Sequence, residues 1–218
     1  MKSAVAGTNS ALGQQFQVQE KIYFRSRQLG DLITATNALH TMLALQPERS
    51  EFNDSLALIY LGRAMFVQAK QLATEILLKK PGNLPVREVL AQATENLGNY
   101  NEALAAYELL HSETKNVIYL YKIAAFQYLL KRFGECEVSL QQIESAPDAA
   151  ASKVVLNYPG ETPNFQRVPV IAAALNIRGV IAKDMNLPEE AGKSFNQALQ
   201  IMPDFIMAQR NLQRLSEK

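Results

Sequence analysis

Two histidines and one cysteine make up the scarce side chains of this sequence that could bind a metal or act as a nucleophile. His40 and His111 are widely separated along the chain, and neither has a second His four residues away, the spacing by which a helix grips zinc. Both are read as solvent-facing or lightly packed helix residues. Cys136 has no His close in sequence to draw off its proton, and an apolar setting makes a thiol inert; it is read as a packing residue. There is no glycine-rich phosphate loop and no local Ser/His/Asp signature. Tyr119, Tyr121 and Tyr128 could stack on bases, but no basic stripe accompanies them and their helical spacing suits core and groove lining better. The expectation is a non-enzymatic chain with no catalytic residues, no cofactor and no metal.

Cys136 leads from chemistry to architecture, because its position recurs. Ala35, Ala69, Ala103 and Cys136 follow one another at intervals of 34, 34 and 33, and Ala191 resumes the series after an interval of 55. Pro47, Pro81 and Pro203 each stand twelve residues after their small residue. A period of this size marks one supersecondary unit stacked on the next. In the second unit Leu56, Ala57 and Tyr60 lie along one helical face, Arg63-Ala64 breaks it, Ala69, Ala73 and Ile76 mark a second face, and Pro81 closes the unit. A small side chain at Ala69 lets the two helix axes approach within about 8–10 Å. Turn signals agree: Gly30-Asp31 and Gly98-Asn99 stand five residues before the small residue of their units. Asn101-Glu102 and Pro188-Glu189-Glu190 read as helix starts.

On these residues the chain resembles the tetratricopeptide repeat family. Leu90-Ala91, Gly98-Asn99-Tyr100-Asn101-Glu102-Ala103 and Tyr107 carry the resemblance, as do Arg178-Gly179, Glu190-Ala191, Phe195, Ala198 and Pro203. Departures are an aromatic missing early in each first helix, Arg178 where leucine is commonest, and no closing proline in the third and fourth repeats. The fold expected is all-α: a right-handed helical solenoid of about five helix-turn-helix units. They fall near residues 16–49, 50–83, 84–116, 117–147 and 172–205, after a flexible segment 1–15 and before a capping helix 206–218. Residues 16–218 are read as one domain.

Between the fourth and fifth repeats the interval of 55 leaves about twenty extra residues, near 148–171. Lys153 to Tyr158 and Phe165 to Val170 are strand-like runs around a Pro/Gly/Asn cluster, which reads as a β-hairpin insert. A linker loop stays open beside it, since Pro169 would cost the second strand a ladder bond. As a hairpin it is expected to serve specificity rather than stability, with Tyr158 and Phe165 as insert contacts.

The resemblance implies protein or peptide binding in a concave groove lined by first helices. In register, the groove residues are Glu20, Phe24, Asp54, Leu58, Glu88, Gln92, Glu95, Tyr121, Tyr128, Asn176 and Lys183. Acidic side chains prevail in the first three repeats, and the fourth adds aromatic and apolar surface through Tyr121, Ala125 and Tyr128, so a basic or neutral segment with an apolar or aromatic anchor toward the C-terminal repeats is expected. The carboxylate grip that some family members use on chaperone tails is not, because Glu20, Asp54 and Glu88 would repel it. The alternative is a structural subunit or assembly factor, of the cell envelope for instance, acting by self-association or through the insert.

Composition agrees with a protein or peptide partner. The 218 residues are 48% hydrophobic and 20% charged with a formal net charge of +1, which exerts no global pull on nucleic acid or anionic lipid. Apolar runs such as Leu56–Leu61 are too short to span a bilayer. The cytoplasm is narrowly favoured. Export follows closely, since Ser3–Gly7 is like the remnant of a small-residue cleavage site and Met1 could be an expression start. Oligomeric state stays open.

Overall fold

The computed structural model describes residues 11–158 and 164–217, and among them the chain is helical apart from one short antiparallel sheet. It divides into two compact units, 1–99 and 100–218. The first holds α1 (Ala11–Gln28), α2 (Leu32–Leu45), α3 (Glu51–Gly62), α4 (Phe66–Lys79) and α5 (Leu84–Asn96). The second holds α6 (Tyr100–Thr114), α7 (Val117–Leu129) and α8 (Phe133–Ser145), then β1 (Lys153–Asn157) and β2 (Phe165–Pro169). It continues with α9 (Val170–Asp184), α10 (Pro188–Ile201) and α11 (Ile206–Ser216). The expected repeat boundaries fall between these helices, with the unit boundary inside the third repeat. Helix α1 begins at Ala11, within the stretch 1–15 read as flexible; residues 1–10 lie outside the described residues.

The register is fixed by what the chain can bury. Ala35, Ala69, Ala103, Cys136 and Ala191 are all wholly buried, as the recurrence requires. Five residues before each of them the backbone turns left-handed: Gly30 (φ 73°), Ala64 (56°), Gly98 (74°), Lys131 (59°) and Asn186 (60°). The residue after each donates its N–H to the carbonyl five positions back, at 2.8 to 2.9 Å, for example Asp31 to Ser26 and Leu187 to Ala182. This is the Schellman closure of a helix end, which meets otherwise orphaned carbonyls. The sequence marks it at the two glycines and at the Arg63-Ala64 break, and carries no signal for it at Lys131 or Asn186. Pro47, Pro81 and Pro203 lie two residues beyond the ends of α2, α4 and α10.

In the first unit Phe16, Tyr23, Leu39, Met42, Phe52 and Leu56 make one core, and Ala69, Ala73, Val86 and Val89 another. In the second, Tyr107 stacks on Phe126 with ring centroids 5.8 Å apart, and Phe195 packs against Gly179. A Cβ at Gly179 would stand 2.4 Å from the Phe195 ring, so glycine there is a matter of space.

The insert is a hairpin. β1 and β2 pair antiparallel with Lys153 opposite Pro169 and Asn157 opposite Phe165; the connection 159–163 lies outside the described residues. Val154 and Val168 are buried on its inner face, while Lys153, Val155, Asn157, Phe165 and Arg167 form an exposed outer face. Gln166 fastens the inner face to the start of α11: its amide donates to the Asp204 carbonyl at 2.6 Å and accepts from the Ile206 N–H at 3.1 Å. The hairpin is therefore packed onto its unit rather than standing alone in water. A two-strand ribbon is marginal in water unless something packs beneath it.

Candidate functional site

The groove residues fall on one register, read helix by helix. In the first unit Glu20, Asp54 and Glu88 occupy the same position of α1, α3 and α5, at a constant interval of 34. One turn on, Phe24, Leu58 and Gln92 form a second row with the same spacing. The acids are half-buried, whereas Phe24 and Leu58 are 53% and 49% exposed, high for large apolar side chains.

Hydrogen bonds hold Asp54 and Glu88 in place. Asn83 caps α5 by accepting from the Val86 N–H at 3.3 Å, and its amide donates to Asp54 Oδ2 at 2.7 Å. Asp54 Oδ1 is buried with no hydrogen-bond partner among the described residues. Gln92 donates to Glu88 at 3.1 Å, and Glu95 is half-buried one turn beyond. The face thus combines carboxylates with two exposed apolar side chains, a chemistry suited to cations carried on an apolar chain.

In the second unit the same register gives a different surface. Tyr121 and Asn176 are 7% and 4% exposed, so two residues expected on the groove surface are withdrawn from it. Asn176 accepts from the Asn211 amide of α11 at 2.9 Å, which engages its side chain in seating the C-terminal helix. Tyr128 donates its hydroxyl to Asp184 Oδ2 at 2.8 Å, tying α7 to α9. Burial first, and then this bond, push its phenol up to about 12. Lys183 remains half-exposed.

Of the insert contacts, Tyr158 is half-buried beneath the Arg210 guanidinium of α11, 5.5 Å from the ring centroid, and serves packing. Phe165 stays 49% exposed on the outer face.

The candidate chemical residues are engaged structurally. His40 Nε2 lies 3.0 Å from the Tyr60 hydroxyl, and His111 Nδ1 lies 3.0 Å from the Asn116 carbonyl. The Cys136 thiol donates to the Ala124 carbonyl at 3.1 Å, and burial pushes it up to about 12, far from the thiolate a nucleophile needs. Among the described residues no group of three or more His, Cys, Asp or Glu is placed to hold a metal ion. No helix among them is long and apolar enough to cross a membrane.

Sequence reading noted Arg178 as an anomaly and missed its role. Its guanidinium donates to both Glu137 carboxylate oxygens, at 2.9 and 3.2 Å, and also to Glu144. Burial works against its charge, and the bonds to Glu137 and Glu144 outweigh this and hold its pKa above the ordinary value. A cation in an apolar slot, with two carboxylates about two turns apart on the preceding helix, was the available signal.

Comparison with known proteins agrees with this geometry. Residues 172–205 match the family model described as tetratricopeptide repeat. No curated protein matches the sequence. Among solved structures, YrrB, described as a TPR protein with an unusual peptide-binding site, shares 14% identity. It covers 92% of this chain and 97% of its own, with a TM-score of 0.68. A MamA protein shares 15% identity over 87% of this chain and 92% of its own, at a TM-score of 0.67. A fragment of MamA from Desulfovibrio magneticus RS-1 shares 11% over 89% and 99%, also at 0.67. At these identities the likeness is one of fold. The fold is that of tetratricopeptide repeat proteins, and the resemblance read from the sequence holds.

Proposed function

We propose that this tetratricopeptide repeat chain is a non-enzymatic interaction scaffold. Its first unit takes a basic segment of another protein along the first-helix face of α1, α3 and α5. The observation carrying the reading is the pair of parallel rows: Glu20, Asp54 and Glu88 at a constant interval of 34, beside Phe24, Leu58 and Gln92 at the same interval. Successive first helices repeat the same chemistry, so a chain laid across them meets a carboxylate and a neighbouring contact side chain at each step. Lys or Arg side chains pair with the carboxylates, while an apolar residue covers Phe24 and Leu58. YrrB, alike in fold, is named for a peptide-binding site, which supports peptide as the ligand class.

The reading is tested by selecting peptides from a random library on the full chain. Enriched sequences carry Lys or Arg with an apolar residue between them, and a Glu88→Lys chain loses them. Enrichment of acidic sequences, or of basic ones that Glu88→Lys keeps, contradicts it.

A further inference from the structure

The hairpin has an open edge as well as a packed face. Tyr158 donates to the Asn164 carbonyl at 2.8 Å and Val170 to the Ser152 carbonyl at 2.9 Å, which marks the even-numbered residues of β1 as the hydrogen-bonded members of the ladder. Antiparallel pairs alternate, so the N–H and C=O groups of Lys153, Val155 and Asn157 point away from β2. Among the described residues they take no hydrogen bond. The opposite edge differs, because Pro169 offers no N–H and blunts β2, the usual protection of an exposed strand. The β1 edge has no proline, and Val155 on it is 59% exposed.

We propose that the β1 edge, Lys153 to Asn157, receives an extended segment of a partner protein as a third strand, and that this segment carries an acidic and an aliphatic residue two positions apart, on one face. Backbone groups on alternate residues supply the affinity of such an addition, and the side chains of one face supply its specificity. That face bears Lys153 and Arg167 with Val155 and Phe165, and no carboxylate among the described strand residues. Neither cation is ion-paired among the described residues. A residue of the incoming strand opposite Lys153 points to the same face, and so does the one opposite Val155. An acid at the first and an aliphatic at the second complete both pairs. A second copy of this chain would bring Lys153 and Arg167 again and leave four cations uncompensated. The hairpin is held to α11 through Gln166, so the edge is presented on a fixed support. The proposal is independent of the acidic face of the first unit, which would repel this ligand.

The test is fluorescence anisotropy on the full chain with a labelled peptide of repeating Glu-Thr-Val-Thr, which puts glutamate and valine alternately on one face. Val155→Pro removes one outward N–H and no bond between β1 and β2, so the hairpin keeps its ladder. The expected result is binding that falls at least about tenfold in Val155→Pro with an unchanged melting temperature. Lys153→Glu weakens binding of the same peptide. If Val155→Pro melts lower, Lys153→Glu decides alone. Failure of the acidic peptide to bind, or equal binding by Lys153→Glu, overturns the proposal. So does a dimer in sedimentation that Val155→Pro dissociates, because the edge then belongs to a second copy.

Discussion

Arg178 of α9 grips Glu137 of α8 with two parallel bonds, Nη2 to Oε1 at 2.9 Å and Nε to Oε2 at 3.2 Å. The position is one where a leucine would pack against the preceding repeat. Here the guanidinium spans that seam and also reaches Glu144. Across the same junction Tyr128 binds Asp184 at 2.8 Å. The hairpin enters the chain between these repeats, so two polar clasps hold α9 to α7 and α8 where the repeat is interrupted.

Removing the clasp should loosen the junction. The Arg178 side chain is 24% exposed and that of Glu137 40%, between a surface pair and a buried one. Arg178→Ala is expected to cost about 1–3 kcal/mol in chemical denaturation, with Arg178→Leu costing less because it restores apolar contact. An Arg178→Ala chain as stable as the parent would show the pair to be ornamental.

Three first helices end in a left-handed residue that is not glycine. For Lys131 this conformation costs about 1 kcal/mol relative to glycine. Lys131→Gly should therefore raise the melting temperature slightly, a gain of up to about 0.6 kcal/mol in stability once the looser unfolded chain is allowed for. A lower melting temperature would argue against the positive φ at that turn.

Gly179 works in the opposite sense. Its φ is ordinary, so alanine there meets only the Phe195 ring, 2.4 Å from the added carbon. Gly179→Ala should destabilise the chain by about 1–3 kcal/mol, and Gly179→Ala with Phe195→Leu should recover part of the loss. Additive losses in the double variant would separate the two residues.

Alkali should weaken the second unit in a defined window. Cys136 and Tyr128 both bind their protons more tightly folded than unfolded, each up to about 12 from ordinary values of 9.0 and 10.0. Their contribution is complete below pH 9 and falls as pH rises toward 12, because only the unfolded chain releases the protons. Tyr128→Phe should flatten the upper part of that decline in denaturation at stepped pH. A slope unchanged by Tyr128→Phe would place the loss elsewhere.

The helices and their register were legible because one small residue per repeat must be buried, and all five are. The face was only partly legible. Glu20, Asp54, Glu88, Tyr121 and Asn176 hold one register position, yet burial there depends on what the next helix supplies. Asn83 meets Asp54 while leaving it half-exposed, whereas Asn211 engages an Asn176 that is buried. A repeat pattern specifies a position along a helix and is silent about the residue that arrives from the neighbour. The hairpin could be read from β-branched runs around its turn residues. Its fastening by Gln166 could not, since that pairing reaches from the insert to the start of the last helix with no periodic mark.

The central claim, that the first-helix face of the first unit binds a basic segment, is tested most directly by titrating a labelled lysine–leucine peptide at low and physiological salt. The parent is compared with Glu20→Lys/Glu88→Lys, with Phe24→Ala as a second probe of the apolar row. The account predicts binding that weakens as salt rises toward a Debye length of about 8 Å. It predicts a loss of about tenfold or more on charge reversal with the salt dependence largely gone, and a smaller, salt-independent loss in Phe24→Ala. Equal affinity of the parent and the charge-reversed chain at low salt would contradict it.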